Sequence, residues 1–495
     1  MKFLPKSRIL LAILLAIIIL AAFFRLWRIE EYMIFLGDEG RDALVVKRMI
    51  VDGKFTLLGP ITSVGSMYMG PIYYYMMIPF LVLFGLNPVG PSVMVALFSV
   101  ATVFGVYYLG KKYFSETVGL VGSFFYAISP LTISQGRSSW NPNVVPFFSF
   151  ALILGLYKVI IEKRQNYLFL IGLMFGILIQ LHYTSLYLLF VAIFSLILTK
   201  TKVSLKGIFL FILGTVITFS PFLIFELRHE FTNTRAVINF LTTGSETQGV
   251  DIAQMVHTFH DVWVRLFWRL LVISSAELTK ILIVAIFLSI YTAFLKAGLK
   301  VKELTILLVW LGAGMISFAF YGGIIYDYYF VGMFPIPFLF FGLFIDKIKD
   351  LKPIGKILTI LLISFLTISN IHQNPHLIPP SNLLKNTETI ASFINEKIDG
   401  KPYNFALLAG KNSDHAYRYF LEVWGNPPLT IENPDNDPSR KTVTGDLYIV
   451  CEEKECKPLG HPLWEIAGFG QAEIKKEWKV STARVFHLVH YRQTR

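Results

Sequence analysis

The chain is 495 residues long, 54% hydrophobic and only 16% charged, with a mean hydropathy of +0.59. A water-soluble chain keeps roughly a quarter of its residues charged, so a soluble globular protein is excluded. The formal net charge of +12 would suggest nucleic acid in a soluble domain. Here much of the excess sits in short loops between apolar runs, where it sets orientation instead, and no nucleic-acid partner is expected.

Lys2, Lys6 and Arg8 precede the first apolar run, 9–24, which closes in Phe23-Phe24-Arg25-Leu26-Trp27. No small-residue cleavage pattern follows, so the run reads as a retained first helix and not as a signal peptide. About a dozen residues further on stands Gly37-Asp38-Glu39-Gly40-Arg41-Asp42. Ionised groups beside a membrane span are costly unless they meet a cation, a metal or water. The ordinary reading is a helix start carrying acids at its positive end. Positive-inside bias puts residues 1–8 in the cytoplasm and Asp38 outside. Residues 41–54 are charged and amphipathic, as expected of a helix lying along the interface.

Next come Gly70-Pro71-Ile72-Tyr73-Tyr74-Tyr75 and an apolar run to Phe84. If 71–86 does not cross, each basic loop lands on one side: Lys111-Lys112, Lys163-Arg164, Lys200 with Lys202 and Lys206, Lys296 with Lys300 and Lys302, and Lys347 with Lys349. Letting it cross would reverse them all. With the amphipathic stretch 254–272 laid on the outer surface, the chain has about eleven transmembrane helices plus interfacial helices. The predicted fold is a polytopic α-helical membrane protein with a small C-terminal extracytoplasmic α/β domain. The boundary is expected between 1–372 and 373–495, where the composition turns polar. In the second part 386–397 and 415–423 read as helices, and 403–408, 447–451 and 485–489 as strands. The only cysteines are Cys451 and Cys456; an outside location permits a disulfide, and two free thiols are the alternative.

Four outer features carry the candidate chemistry. They are Asp38-Glu39 with Arg41; the loop Gln135 to Asn143, containing Arg137 and Asn141; Phe225 to Glu230, containing Arg228 and His229; and Tyr321 to Tyr329, containing Tyr326, Asp327 and Tyr328. Singly, each has an ordinary reading as headgroup anchor or aromatic belt. Together they supply a carboxylate base, cations for an anionic group and aromatic rings, as a site for a lipid-phosphate sugar requires.

The order Asp38-Glu39-Gly40-Arg41, Gly70-Pro71-Ile72-Tyr73-Tyr74, Gly110-Lys111-Lys112-Tyr113-Phe114, Ser129-Pro130 and Arg137 before a span resembles the GT-C glycosyltransferases. Among these it is similar to the protein O-mannosyltransferase and lipid A aminoarabinose transferase superfamily, and looks closest to the bacterial dolichyl-phosphate-mannose-protein mannosyltransferase family proteins. The resemblance covers the first third of the chain well and the remaining spans in outline.

It implies an inverting glycosyltransferase that takes a sugar from a polyprenyl-phosphate donor in the plasma or inner membrane. The acceptor would be extracytoplasmic: a protein, a lipid or a cell-envelope glycan. Asp38 would be the base, with Glu39 in support; Arg41 and Arg137 would hold the donor phosphate; Tyr73, Tyr74, Asn141, Tyr326, Asp327 and Tyr328 would contact acceptor, sugar or lipid. Two departures stand out. Relatives often carry His-Pro-Pro or Glu-Lys-Pro before the tyrosines, where this chain has Met69-Gly70-Pro71, and an Asp after the second-loop arginine, where it has Asn141-Pro142. They leave a divalent metal on Asp38 and Glu39 open, and make Arg228 and His229 candidates for replacement positive charge. A transporter or flippase for lipid-linked saccharides is the main alternative, but it should show internal repeats and broken helices with charges at mid-span; the sequence shows neither, and few ionisable residues sit mid-span. A glycan polymerase or ligase needs the same donor handling.

Overall fold

The computed structural model describes residues 7–63, 67–244, 250–295, 301–351 and 353–491. Lys2, Lys6, Lys296 and Lys300, used above to orient the chain, lie outside the described residues. The chain forms two compact units, and neither is continuous in sequence. The first comprises Met1–Trp27, Thr56–Met76 and Ser92–Pro379; the second comprises Arg28–Phe55, Met77–Pro91 and Pro380–Arg495. The division expected at residue 372 is thus drawn differently. Met33, Phe35, Ala43 and Leu44 bury their side chains in one core with Leu384, Ile390, Tyr417 and Phe420, and this apolar burial takes the early segment out of the helical unit.

The first unit is helical because its apolar runs leave the backbone no partner but itself in hydrocarbon. Among the described residues, six helices are long and apolar enough to cross a membrane, or eight if each of two bent pairs is one span. In Leu205–Arg228 only 11% of the apolar window is buried within the protein, against 83% in Asn141–Ile160. The first presents its leucines and phenylalanines to lipid, and the second is a core element. This is a membrane protein. Four further apolar helices are shorter: Ile72–Leu83, Glu116–Ile128, Tyr167–Leu181 and Tyr183–Leu198. Ile72–Leu83 has 12 residues with Pro79 inside, and at about 1.5 Å per residue it is well short of a hydrocarbon core of roughly 30 Å. The amphipathic helix Ile252–Phe267 ends in a π-turn, Trp268–Val272, and meets the following apolar helix at 98°.

In the second unit four strands, β1 (Asn404–Leu408), β2 (Asp446–Cys451), β3 (Ala472–Val480) and β4 (Ala483–His490), form a sheet of order β1-β2-β4-β3. β1 and β2 are parallel, and the other pairs are antiparallel. The helices Leu383–Lys397 and His415–Val423 cover the sheet with their apolar faces. β3 was not expected, because its sequence AEIKKEWKV lies largely exposed, and its lysine pair interrupts the apolar alternation of Ala472, Ile474, Trp478 and Val480. Cys451 and Cys456 are joined in a disulfide just after β2.

Candidate active site

In the second unit the acidic motif opens the helix Gly37–Val51. Leu36 is extended, and its N–H donates to Glu39 Oε2 at 3.0 Å, while Gly37 N–H donates to Asn412 Oδ1 at 2.9 Å. Both bonds satisfy donors that a helix start leaves open. The glycines are steric: a Cβ on Gly40 would collide with the backbone of Ala416, and one on Gly37 with Ser413. Only glycine lets this helix lie so close to the start of His415–Val423.

Asp38 sits in the first turn with its side chain 55% exposed, and Arg41 reaches it at 2.9 Å. The same guanidinium holds Asp42, whose side chain is fully buried, through two bonds of 2.8 and 2.9 Å to Oδ1. Arg41 therefore orients two carboxylates at the positive end of a helix. Glu39 differs. Burial, opposed by hydrogen bonds from the backbone and reinforced by the charges of Asp38 and Asp42, pushes its carboxyl up to about 7. His415, whose Nδ1 is 2.8 Å from Ser413 Oγ, has its basicity lowered by burial, opposed by the charges of Asp414 and Asp38 and aided by those of Arg41 and Arg418. The exposed, oriented carboxylate is Asp38, and that is the form a proton acceptor needs.

A divalent metal does not fit these residues. Asp38 is engaged by Arg41, Glu39 is buried and spent on the helix start, and the described residues hold no group of three or more His, Cys, Asp or Glu arranged for a metal.

In the first unit Arg137 lies buried between the helix Pro130–Gln135 and the turn Asn141–Val144. Its guanidinium is 2.9 Å from His376 Nε2, which is itself 2.9 Å from the carbonyl of Phe24. The imidazole lies against Phe24 and Trp27, with ring centroids 5.9 and 5.2 Å away. Arg25 is fully buried nearby in sequence. It donates to Ser99 Oγ at 2.7 Å, Thr132 Oγ1 at 3.1 Å and the carbonyls of Ala21, Tyr126 and Ala127 at 3.2, 3.2 and 3.0 Å.

The structure brings several expected residues to the Arg137 loop. Tyr73 shares a 2.8 Å hydrogen bond with Ser139, and Trp140 packs edge-on to Tyr328 at 4.6 Å, which in turn stacks on Tyr326. Tyr73 and Tyr74 are buried, and Asn141 donates to the carbonyl of Leu181; Tyr73 and Asn141 hold the loop in place. Asp327 is clasped by Arg265 and Arg269, so its carboxylate is not bare. Arg228 and His229 lie exposed at the end of Leu205–Arg228, with His229 turned back onto Phe225. Glu226 beside them is buried and accepts the backbone N–H groups of Asn233 and Thr234 at 3.2 and 2.7 Å, capping the next helix, Thr232–Thr243.

Sequence reasoning missed Arg25, His376, Ser139 and His415. Arg25 had a signal, a lone arginine inside the last turn of an apolar run. His376 and His415 had none, since only the fold gives them partners.

Residues 69–225, less than half the chain, match the family model described as dolichyl-phosphate-mannose-protein mannosyltransferase. The structure is similar to that of ArnT from Cupriavidus metallidurans bound to undecaprenyl phosphate, with a TM-score of 0.64 and 12% identity over 96% of this chain and 97% of that one. It is also similar to the archaeal oligosaccharyltransferase AglB from Archaeoglobus fulgidus, in complex with an inhibitory peptide and a dolichol-phosphate. There the TM-score is 0.52 and the identity 12%, over 90% of this chain and 69% of that one. The fold is that of the GT-C glycosyltransferases. No curated protein matches the chain in sequence.

Proposed function

We propose that this protein is an inverting glycosyltransferase of the cell membrane, moving a sugar from a polyprenyl-phosphate donor to a hydroxyl on an extracytoplasmic acceptor. The observation that carries the reading is Asp38, exposed and oriented by Arg41 at a helix start. The acceptor hydroxyl attacks the anomeric carbon of the sugar as the bond to the phosphate oxygen breaks. Asp38 takes the hydroxyl proton, and polyprenyl phosphate leaves with the electron pair. A hydroxyl is a weak nucleophile, and a carboxylate within hydrogen-bond reach removes its proton as the new bond forms. Growing negative charge on the leaving phosphate calls for fixed cations in a partly desolvated place. Arg137, buried and backed by His376, suits that role. Arg41, already spent on Asp38 and Asp42, suits orientation of the base.

The polyprenyl-phosphate donor is supported by the lipid phosphates bound to both structural relatives. About eleven crossings, with the short helices Glu116–Ile128, Tyr167–Leu181 and Tyr183–Leu198 included and 71–86 left out, and with Asp38 and the second unit outside, follow from positive-inside bias. The test is sugar transfer from radiolabelled polyprenyl-phosphate sugars by the purified full-length protein. Asp38→Asn keeps size and most hydrogen bonding but cannot accept the proton. Its turnover should drop by roughly two to four orders of magnitude, with donor binding retained. Near wild-type transfer by Asp38→Asn would remove it from the mechanism.

A further inference from the structure

Within the second unit, the strands β2, β4 and β3 and the segment 396–403 border a half-open polar cavity of about 340 Å³. Pockets that hold small molecules begin at roughly 300 Å³, so this one has room for a single compact ligand. One wall is a stack of rings. His487 lies parallel to Tyr448, with centroids 4.7 Å apart and planes 7° apart, and Trp478 continues the stack at 6.5 Å and 10°. Asp446 fixes the imidazole, its Oδ1 2.6 Å from His487 Nε2.

The lysines are the unexpected part. Successive side chains of a regular strand point to opposite faces, yet Lys475 and Lys476 both line this cavity. The pairing of β3 with β4 explains it. Ile474 opposes Leu488 and Lys476 opposes His487, the next residue of β4, so Lys475 is an extra residue with no partner in the ladder. Such a bulge re-aims a side chain. Among the described residues neither lysine forms an ion pair with a carboxylate. Lys397 and Lys401 add positive charge to the lining, and Glu396, Asp399 and Asp446 add carboxylates, so the four lysines exceed the carboxylates by one.

We infer that this cavity binds a single sugar unit carrying an anionic substituent, a carboxylate or a phosphate. The bulged lysine pair meets the anion as charge-assisted donors. Asp399 and Asp446 accept hydrogen bonds from ring hydroxyls. The site is a recognition site for an acidic saccharide, and its occupancy does not depend on the transfer step at Asp38.

The experiment is ligand-observed saturation-transfer NMR on the full-length protein in detergent, with glucuronate, mannose 6-phosphate, mannose and inorganic phosphate as probes. One of the two anionic sugars should bind at least tenfold more tightly than mannose and than inorganic phosphate, and which one binds identifies the anion. The double variant Lys475→Ala with Lys476→Ala, at two exposed positions, should lose at least tenfold in that affinity with its thermal midpoint unchanged. Mannose binding as well as the anionic sugars, inorganic phosphate binding as well as either, an unaffected double variant, or no binding by either anionic sugar would each overturn the inference.

Discussion

Two arginines near the start of the chain, one in each unit, are held in opposite ways. Arg25, in the helical unit, is fully buried and bonded only to hydroxyls and carbonyls. Arg41, in the second unit, is bonded to two carboxylates. Neutral dipoles satisfy a guanidinium without cancelling its charge, whereas carboxylates cancel it. Within the helical unit, Arg25 thus keeps its charge uncancelled by these partners. The second unit neutralises its arginine and in return fixes an exposed carboxylate.

The largest effect expected from breaking the contrast is at Arg25. Arg25→Leu strands the carbonyl of Ala127 and the hydroxyl of Ser99, while Thr132 and Tyr126 keep the hydrogen bond between them, and loss of a buried charged group's network costs roughly 3–5 kcal/mol. The yield of monodisperse protein and its thermal midpoint in detergent should both fall sharply. A variant that melts like the wild type would show that Arg25 is not a staple, and the comparison would lose one side.

The second unit is best probed at Glu39, whose carboxyl is pushed up to about 7 by burial. An unfolded glutamate ionises near its ordinary value, so between there and about pH 7 the folded state binds more protons than the unfolded one. The sign follows: this group's contribution is fully favourable in acid and is lost as pH rises to about 7, on the order of 3 kcal/mol. Glu39→Gln removes the dependence. Its thermal midpoint should match that of the wild type near pH 4 and exceed it at pH 8. Parallel curves would mean that Glu39 is ionised in the fold and the Asp38 turn carries more negative charge than argued.

Gly40→Ala should cost about 2 kcal/mol, a typical penalty for overpacking, because the new Cβ meets backbone at Ala416, which cannot rotate away. Thermal melting checks it. The helical unit's own contacts are untouched, so the loss should appear in near-ultraviolet signals from the second unit first.

What the sequence made legible follows the physics of short range. Residues 415–423 were read as a helix and match His415–Val423, because an amphipathic pattern is local. The acidic motif was legible as a helix start for the same reason. The two segments that join the second unit from early in the chain were not, since their burial depends on residues more than three hundred positions away, as in the pairing of Arg48 with Glu422. Within the site, Arg137 stood out as a charge between spans. Its partner His376 could not, because a lone histidine after the last apolar run carries no pattern. The bulge in β3 was illegible too, since a charged exposed strand looks like a loop until its register is known.

The smallest effect, and the finest test of the contrast, is at Arg137. If the helical unit's positive charge serves only to bind its own dipoles, Arg137→Lys should alter melting and leave donor affinity alone. If it serves an anion, the reverse holds. Lysine keeps the charge but loses the planar fork, which matches phosphate oxygens two at a time. Losing one charge-assisted hydrogen bond is worth roughly 1.5 kcal/mol, or about tenfold in affinity. His376 sharpens the test, because it touches the guanidinium from the protein side. His376→Gln keeps a polar group at that distance and should weaken donor binding less than Arg137→Lys does, whereas His376→Ala removes the support and should approach it. Equilibrium binding of polyprenyl phosphate to the three variants gives the ranking. Unchanged affinity in Arg137→Lys with a lowered melting point would assign Arg137 to structure beside Arg25, leaving the phosphate to another cation.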